Sequence, residues 1–173
     1  MKRPTLDMRR ARRDMSLRKA ASAGALAGLA GGLAMMVARK LEAKGLLGRD
    51  DSGEPEWDRF VRAEARRRNI RLSQARVTRI ATALHLLYSA ALGSTYGVVR
   101  SRSRLPSAVQ GMVMSGLVYL AMFPSWGLMP RRGAARPPAR QRARKALIPI
   151  GTHAVFGATT AAAFKALSGD AAH

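Results

Sequence analysis

Two histidines, His85 and His153, are the residues of this chain best suited to chemistry inside an apolar setting. They sit in matched contexts. His85-Leu86-Leu87-Tyr88-Ser89-Ala90 parallels His153-Ala154-Val155-Phe156-Gly157-Ala158, and Tyr96 and Phe164 each follow their histidine by eleven residues. A pair of imidazoles can ligate haem iron or another metal, or respond to pH. No carboxylate lies in the uncharged stretches around them to orient the rings, as metal-bound histidines usually require. The simpler reading has each ring hydrogen-bonding a neighbouring helix, with Gln110 as similar polar glue. No metal or cofactor is therefore expected.

Other chemistry finds little support. With no cysteine, disulfides, zinc-thiolate sites and thiol nucleophiles are excluded. There is no Gly-x-Ser-x-Gly elbow, zinc motif or phosphate-binding Gly-rich loop. An enzyme is not expected.

The histidines must be held by long apolar elements. Four stretches lack any Asp, Glu, Lys or Arg: 19 residues from Ala20 to Ala38, 20 from Ile80 to Val99, 26 from Leu105 to Pro130 and 19 from Ala146 to Phe164. Each is bracketed by Arg or Lys. About 20 helical residues cross a bilayer core of about 30 Å. Soluble helices carry a polar face at the 3.6-residue period, and none runs through these stretches. They predict an all-α, integral membrane four-helix bundle with spans at about 20–38, 80–99, 105–129 and 146–164. Pro106 opens the third span, and Pro124 and Pro130 predict that it kinks or ends near Phe123, leaving Trp126 at an interface. Pro149 falls in the first turn of the fourth span or kinks it. The basic residues before Ala20 resemble a secretory signal, but without a small-x-small cleavage site the run is read as a retained helix.

Charge is concentrated between the spans. The chain carries 31 Lys plus Arg against 10 Asp plus Glu, a formal net charge of +21. The segments on the two sides of a four-span arrangement hold 19 and 12 cations. The larger number places loops 39–79 and 131–145 inside by the positive-inside rule, whereas the basic tail 1–19 opposes this, so the orientation stays open. Within an Arg-rich segment, 55–79, Trp57, Phe60, Val61 and Ala65 share one helical face, and Asp58/Arg62 and Glu64/Arg68 are spaced for ion pairs. Arg66, Arg67, Arg68 and Arg71 are expected to contact anionic lipid headgroups. A nucleic-acid partner is not expected, because no recognition fold or stacking aromatics accompany the arginines. Arg outnumbers Lys 25 to 6, a bias of GC-rich bacterial genomes. The expected location is the cytoplasmic (inner) membrane of a bacterium.

Small residues recur every fourth position: Gly24, Gly28 and Gly32 in the first stretch, Ser89, Gly93 and Gly97 in the second, and Gly157 with Ala161 in the fourth. Such stripes let helix backbones approach closely. They serve equally within one chain or between copies in a homo-oligomer. The matched histidine contexts add a second expectation, two repeated helical hairpins that would insert in the same direction.

On His85, Tyr88, Ser89, Tyr96 and Gly97, then His153, Phe156 and Gly157, the chain resembles the YagU-like family of small bacterial inner-membrane proteins. The resemblance covers roughly the second to fourth spans. It implies a multi-pass inner-membrane protein and brings no biochemical activity with it. The expected role is that of a non-enzymatic, structural or envelope-associated scaffold. The alternative is a small carrier, channel or sensor using the histidine pair. The expected domains are a basic tail at 1–19, a transmembrane domain at 20–168 and a short tail at 169–173.

Overall fold

The computed structural model describes residues 16–43, 54–136 and 143–169. The basic tail before Ser16, the turn-rich linker at 44–53, part of the Pro/Arg loop at 137–142 and the last four residues lie outside the described residues. Among the described residues the chain is all helical, with no strand.

Four long helices build the bundle. They are α1 (Leu17–Ala43), α3 (Gln74–Arg102), α4 (Ser107–Met122) and α6 (Ala143–Leu167), and the shorter α2 (Glu56–Arg67) and α5 (Leu128–Arg131) lie between them. Helix α1 packs against both α3 and α6, and α4 packs on α6. Although α3 and α4 are joined by only four residues, they touch little. The two do not pack as a tight hairpin. The small-residue stripes decide the packing order instead.

Those stripes interlock within the chain. A Cβ on Gly28 would lie 2.7 Å from Gly93 Cα, and one on Gly97 would lie 3.0 Å from Gly24 Cα. Ser89 fills the space over Gly32. The second pair repeats the device, since Gly157 faces Gly111 and Ser115, and a Cβ on Gly111 would meet Gly157 O at 2.7 Å. Backbones this close leave room only for glycine. Ser94 Oγ donates to Ala21 O across the first interface at 3.0 Å. Helix α1 therefore packs closely on both α3 and α6, and α4 on α6. Between α3 and α6, Tyr96 and Phe164 form an edge-to-face pair at 5.6 Å.

Local signals explain the helix ends. Ser73 Oγ accepts from Arg76 N at 3.4 Å and starts α3 six residues before the expected span. Helix α2 begins after Pro55, with Glu56 and Asp58 in its first turn. It ends in a Schellman arrangement, with Asn69 at φ 56° and Ile70 N donating to Ala65 O at 2.9 Å. Helix α4 stops at Met122, where Phe123 and Pro124 begin a turn closed by Gly127 N donating to Pro124 O at 2.7 Å. At 16 residues it is about 24 Å long at ~1.5 Å per residue. The expected third span is thus split, and α5 folds back so that Met129 is buried under Phe123. Pro149 lies inside α6.

By length and composition, one described helix is long and apolar enough to cross a membrane, Leu17–Leu41. Ser107–Met122 is a shorter apolar helix.

Candidate functional site

The divergence of α3 from α4 leaves a cavity of about 430 Å³ at the end of the bundle where α2 and α5 lie. His85, from α3, and His153, from α6, both line it. The structure therefore brings the two sequence-predicted residues to one site, each from near the middle of its helix.

Each ring is held by a backbone carbonyl. His85 Nε2 donates to Gly32 O of α1 at 3.2 Å, across the glycine stripe. His153 Nδ1 donates to Pro149 O of its own helix at 2.6 Å. A carbonyl oxygen only accepts, so these contacts set which nitrogen carries hydrogen. In the uncharged ring the other nitrogen, Nδ1 of His85 and Nε2 of His153, is then an acceptor. The hydrogen bonds just described use the first nitrogen of each ring only. Carboxylates are not needed to orient these rings. What the sequence does not display is the carbonyl, because every residue has one.

The walls are aromatic and aliphatic. Trp57 of α2 sits 6.3 Å from His85 and 5.9 Å from Tyr88, ring centre to ring centre. Phe123 sits 5.4 Å from His153 in an edge-to-face pair. Val118, Met122 and Phe156 line the deeper part. Trp57 was legible as part of an amphipathic face, but not as a lid over the histidines. The apolar face of α2 is spent on the protein, where Val61 packs with Val77 and Ala81, and Trp57 and Phe60 join that cluster.

Ionic contacts fasten α2 at the mouth. Glu56 pairs with Arg39 of α1 and with Arg59 at 3.4 Å. Burial pushes the Glu56 carboxyl up, but the charge and hydrogen bond of Arg39 outweigh it and hold the group below the usual carboxylate range. Asp58, also buried, accepts from Thr78 Oγ1 at 2.8 Å and from Gln74 Nε2 at 3.4 Å. The spacing had suggested Arg62 as its partner, yet Arg62 pairs with Glu54 at 2.7 Å. The Glu64–Arg68 pair forms at 3.0 Å, and Glu64 also reaches Arg132 beyond α5 at 3.2 Å.

Of the remaining expected residues, Ser89 also lines the cavity. Gly24, Gly28, Gly32, Ser89, Gly93, Gly97 and Gly157 are buried in helix interfaces. Arg66, Arg67, Arg68 and Arg71 are exposed at the end of α2 and in the turn that follows. Gln110 is buried, and its amide has no partner among the described residues. No group of three or more metal-ligating side chains occurs among the described residues.

Comparison with protein-family models, curated proteins and solved structures finds no match to this chain.

Proposed function

We propose that this chain is a non-enzymatic, multi-pass protein of a bacterial cytoplasmic (inner) membrane, in which the four long helices span the bilayer. The observation that carries this reading is the sorting of side chains between inside and outside. Helix α4 buries Gln110, Gly111 and Ser115 along with Val118 and Met122, but exposes Val109, Met112, Val113, Leu117 and Leu120. Helix α3 buries His85, Ser89, Gly93 and Gly97 and exposes Leu87, which is 68% exposed, and Val99. Helix α1 buries three glycines of its stripe and exposes Leu26, Leu33 and Val37. Water would drive the large apolar groups inward and the small and polar ones outward. Lipid removes that drive, and helices then pack through small and hydrogen-bonding residues. The 16 residues of α4 are short for the bilayer core, and the apolar turn that follows Met122 makes up the remaining depth. The exposed arginines after α2 reach anionic headgroups in this placement. The YagU-like resemblance, carried by the two histidine motifs, fits the same placement and is proposed with it.

The test is fractionation of cells making the chain. Retention in membranes through an alkaline carbonate wash, with release only by detergent, supports the reading. Recovery in the soluble fraction at native concentration rejects it.

A second reading, a small carrier or sensor, is favoured by one observation: both histidines line one cavity of ligand size, within the range of ~300–1,000 Å³ for small-molecule sites. Native mass spectrometry of the detergent-extracted chain tests it. A bound mass that disappears in the His85→Ala/His153→Ala variant supports a ligand site. A chain that is empty in both forms leaves the scaffold.

A further inference from the structure

We propose that the cavity binds an uncharged, membrane-soluble aromatic diol, a reduced quinone, whose hydroxyl groups donate to His85 and His153. The inference rests on the second reading above, that the cavity holds a ligand, and names the class of that ligand.

Three features select this chemistry. The first is hydrogen-bond polarity. Gly32 O and Pro149 O take the N–H of each ring, at 3.2 Å and 2.6 Å, so the uncharged rings offer the cavity two acceptors and no donor. A complementary ligand must bring the hydrogens. A quinol brings one on each of two hydroxyls, whereas the oxidised quinone brings only carbonyl oxygens, which would face the imidazole lone pairs acceptor to acceptor. Both rings line the one cavity, so a single ligand head there meets both.

The second feature is the wall. Trp57, Tyr88, Phe123 and Phe156 surround the space beside the two imidazoles. Such walls take a flat ring by stacking or edge contact. At about 430 Å³, the cavity holds a substituted ring with the first part of an apolar chain. A longer chain would run out among the exposed leucines and valines of the bundle.

The third feature is charge. The two buried acids at the mouth are already engaged, Glu56 by Arg39 and Arg59, and Asp58 by Thr78 and Gln74. A cationic head would have to displace these partners, while an uncharged one need not; the cations lining the cavity are Arg39, which is paired with Glu56, and Lys40. The proposal concerns binding alone, and no electron transfer is implied.

Isothermal titration of the full chain in detergent, with decylubiquinol kept reduced under argon and with decylubiquinone, tests the proposal. One hydrogen bond lost or opposed corresponds to about tenfold in affinity. The expected result is saturable binding of one quinol per chain, the quinone weaker by about tenfold or more, and about tenfold weaker quinol binding in His85→Phe and in His153→Phe. Phenylalanine keeps the aromatic packing and removes the acceptor. Where a variant fails to fold, the reduced-to-oxidised ratio of the unaltered protein decides alone. Equal affinity for the two forms overturns the diol and leaves the ligand cavity standing. No saturable binding of either form also overturns it, and the retained mass in native mass spectrometry then judges the cavity separately.

Discussion

Replacing Gly28 by alanine adds one methyl group where the backbones of α1 and α3 meet. A Cβ there would lie 2.7 Å from Gly93 Cα and 2.9 Å from Gly93 N, with Ser89 O closer still. All three neighbours are backbone atoms, so no side-chain rotation relieves the clash. Ordinary Cβ contacts begin at 3.4 Å, and α1 and α3 would have to separate by about 1 Å. A gap of that size forfeits up to about half of each van der Waals contact along the stripe. It also stretches the Ser94–Ala21 and His85–Gly32 hydrogen bonds. Overpacking of this kind costs about 1–3 kcal/mol, and a purely backbone clash falls in the upper half of that range. Against this, alanine is the better helix former by about 1 kcal/mol. Gly116→Ala isolates that gain, because nothing lies within 4 Å of a Cβ on Gly116. Subtracting one variant from the other cancels propensity and leaves packing. Equilibrium unfolding in mixed micelles, followed by circular dichroism, should show Gly28→Ala less stable than Gly116→Ala by about 2 kcal/mol, roughly thirtyfold in the unfolding constant. Equal stability of the two variants would refute the reasoning, because the α1–α3 interface would then not be close-packed.

Three further outcomes follow from the cap and the interior. The Glu56 carboxyl titrates below its ordinary value of 4.5 in the folded chain, so the unfolded chain binds the proton more readily. Its contribution is full above 4.5 and is lost as pH falls through the lower folded value. Melting curves from pH 7 down to 3 should therefore show a steeper acid loss in the unaltered protein than in Glu56→Gln, which starts about 1–3 kcal/mol less stable; parallel curves would contradict the Arg39 pairing. Tyr96→Phe removes the hydroxyl that donates to Ser107 O at 3.2 Å and should cost about 1 kcal/mol in the same unfolding assay, while a neutral result would show that bond to be worthless. Changing Arg66, Arg67, Arg68 and Arg71 together to Gln should lower the number of anionic phospholipids retained in native mass spectra, at about 1 kcal/mol per arginine near the surface. Undiminished retention would place those arginines away from headgroups.

The long helices were legible because their uncharged stretches are long and sharply bounded by arginine. The break of the third near Phe123 was legible from Pro124. The histidine pair was legible from the matched His-x-x-aromatic-small contexts, and both residues line one cavity. Other parts were not. The connection between α3 and α4 is short, yet packing is decided by where small residues let backbones meet, and α1 offers glycine to two partners. Gly31 shows this, since a Cβ there would meet Phe156 O of α6 at 2.8 Å. The lid was hidden for a different reason. Trp57 and Phe60 sit in a strongly ionic segment, and whether an amphipathic face docks on lipid or on protein depends on a surface that only the folded bundle presents. The partners of Asp58 were hidden likewise, because Thr78 and Gln74 become neighbours only once α2 lies over α3.

The absence of native cysteine allows a direct test of the membrane placement, which is the central claim. Single cysteines would replace Leu117 and Leu87, which are 62% and 68% exposed on the bundle exterior, and Asn69 in the turn after α2. Membranes opened to expose both faces, but not dissolved, would be treated with a water-soluble maleimide too polar to enter lipid. The account predicts rapid labelling at position 69 and none at 117 and 87. Labelling of all three at similar rates would mean that water covers the leucines, and the bundle would not span a membrane.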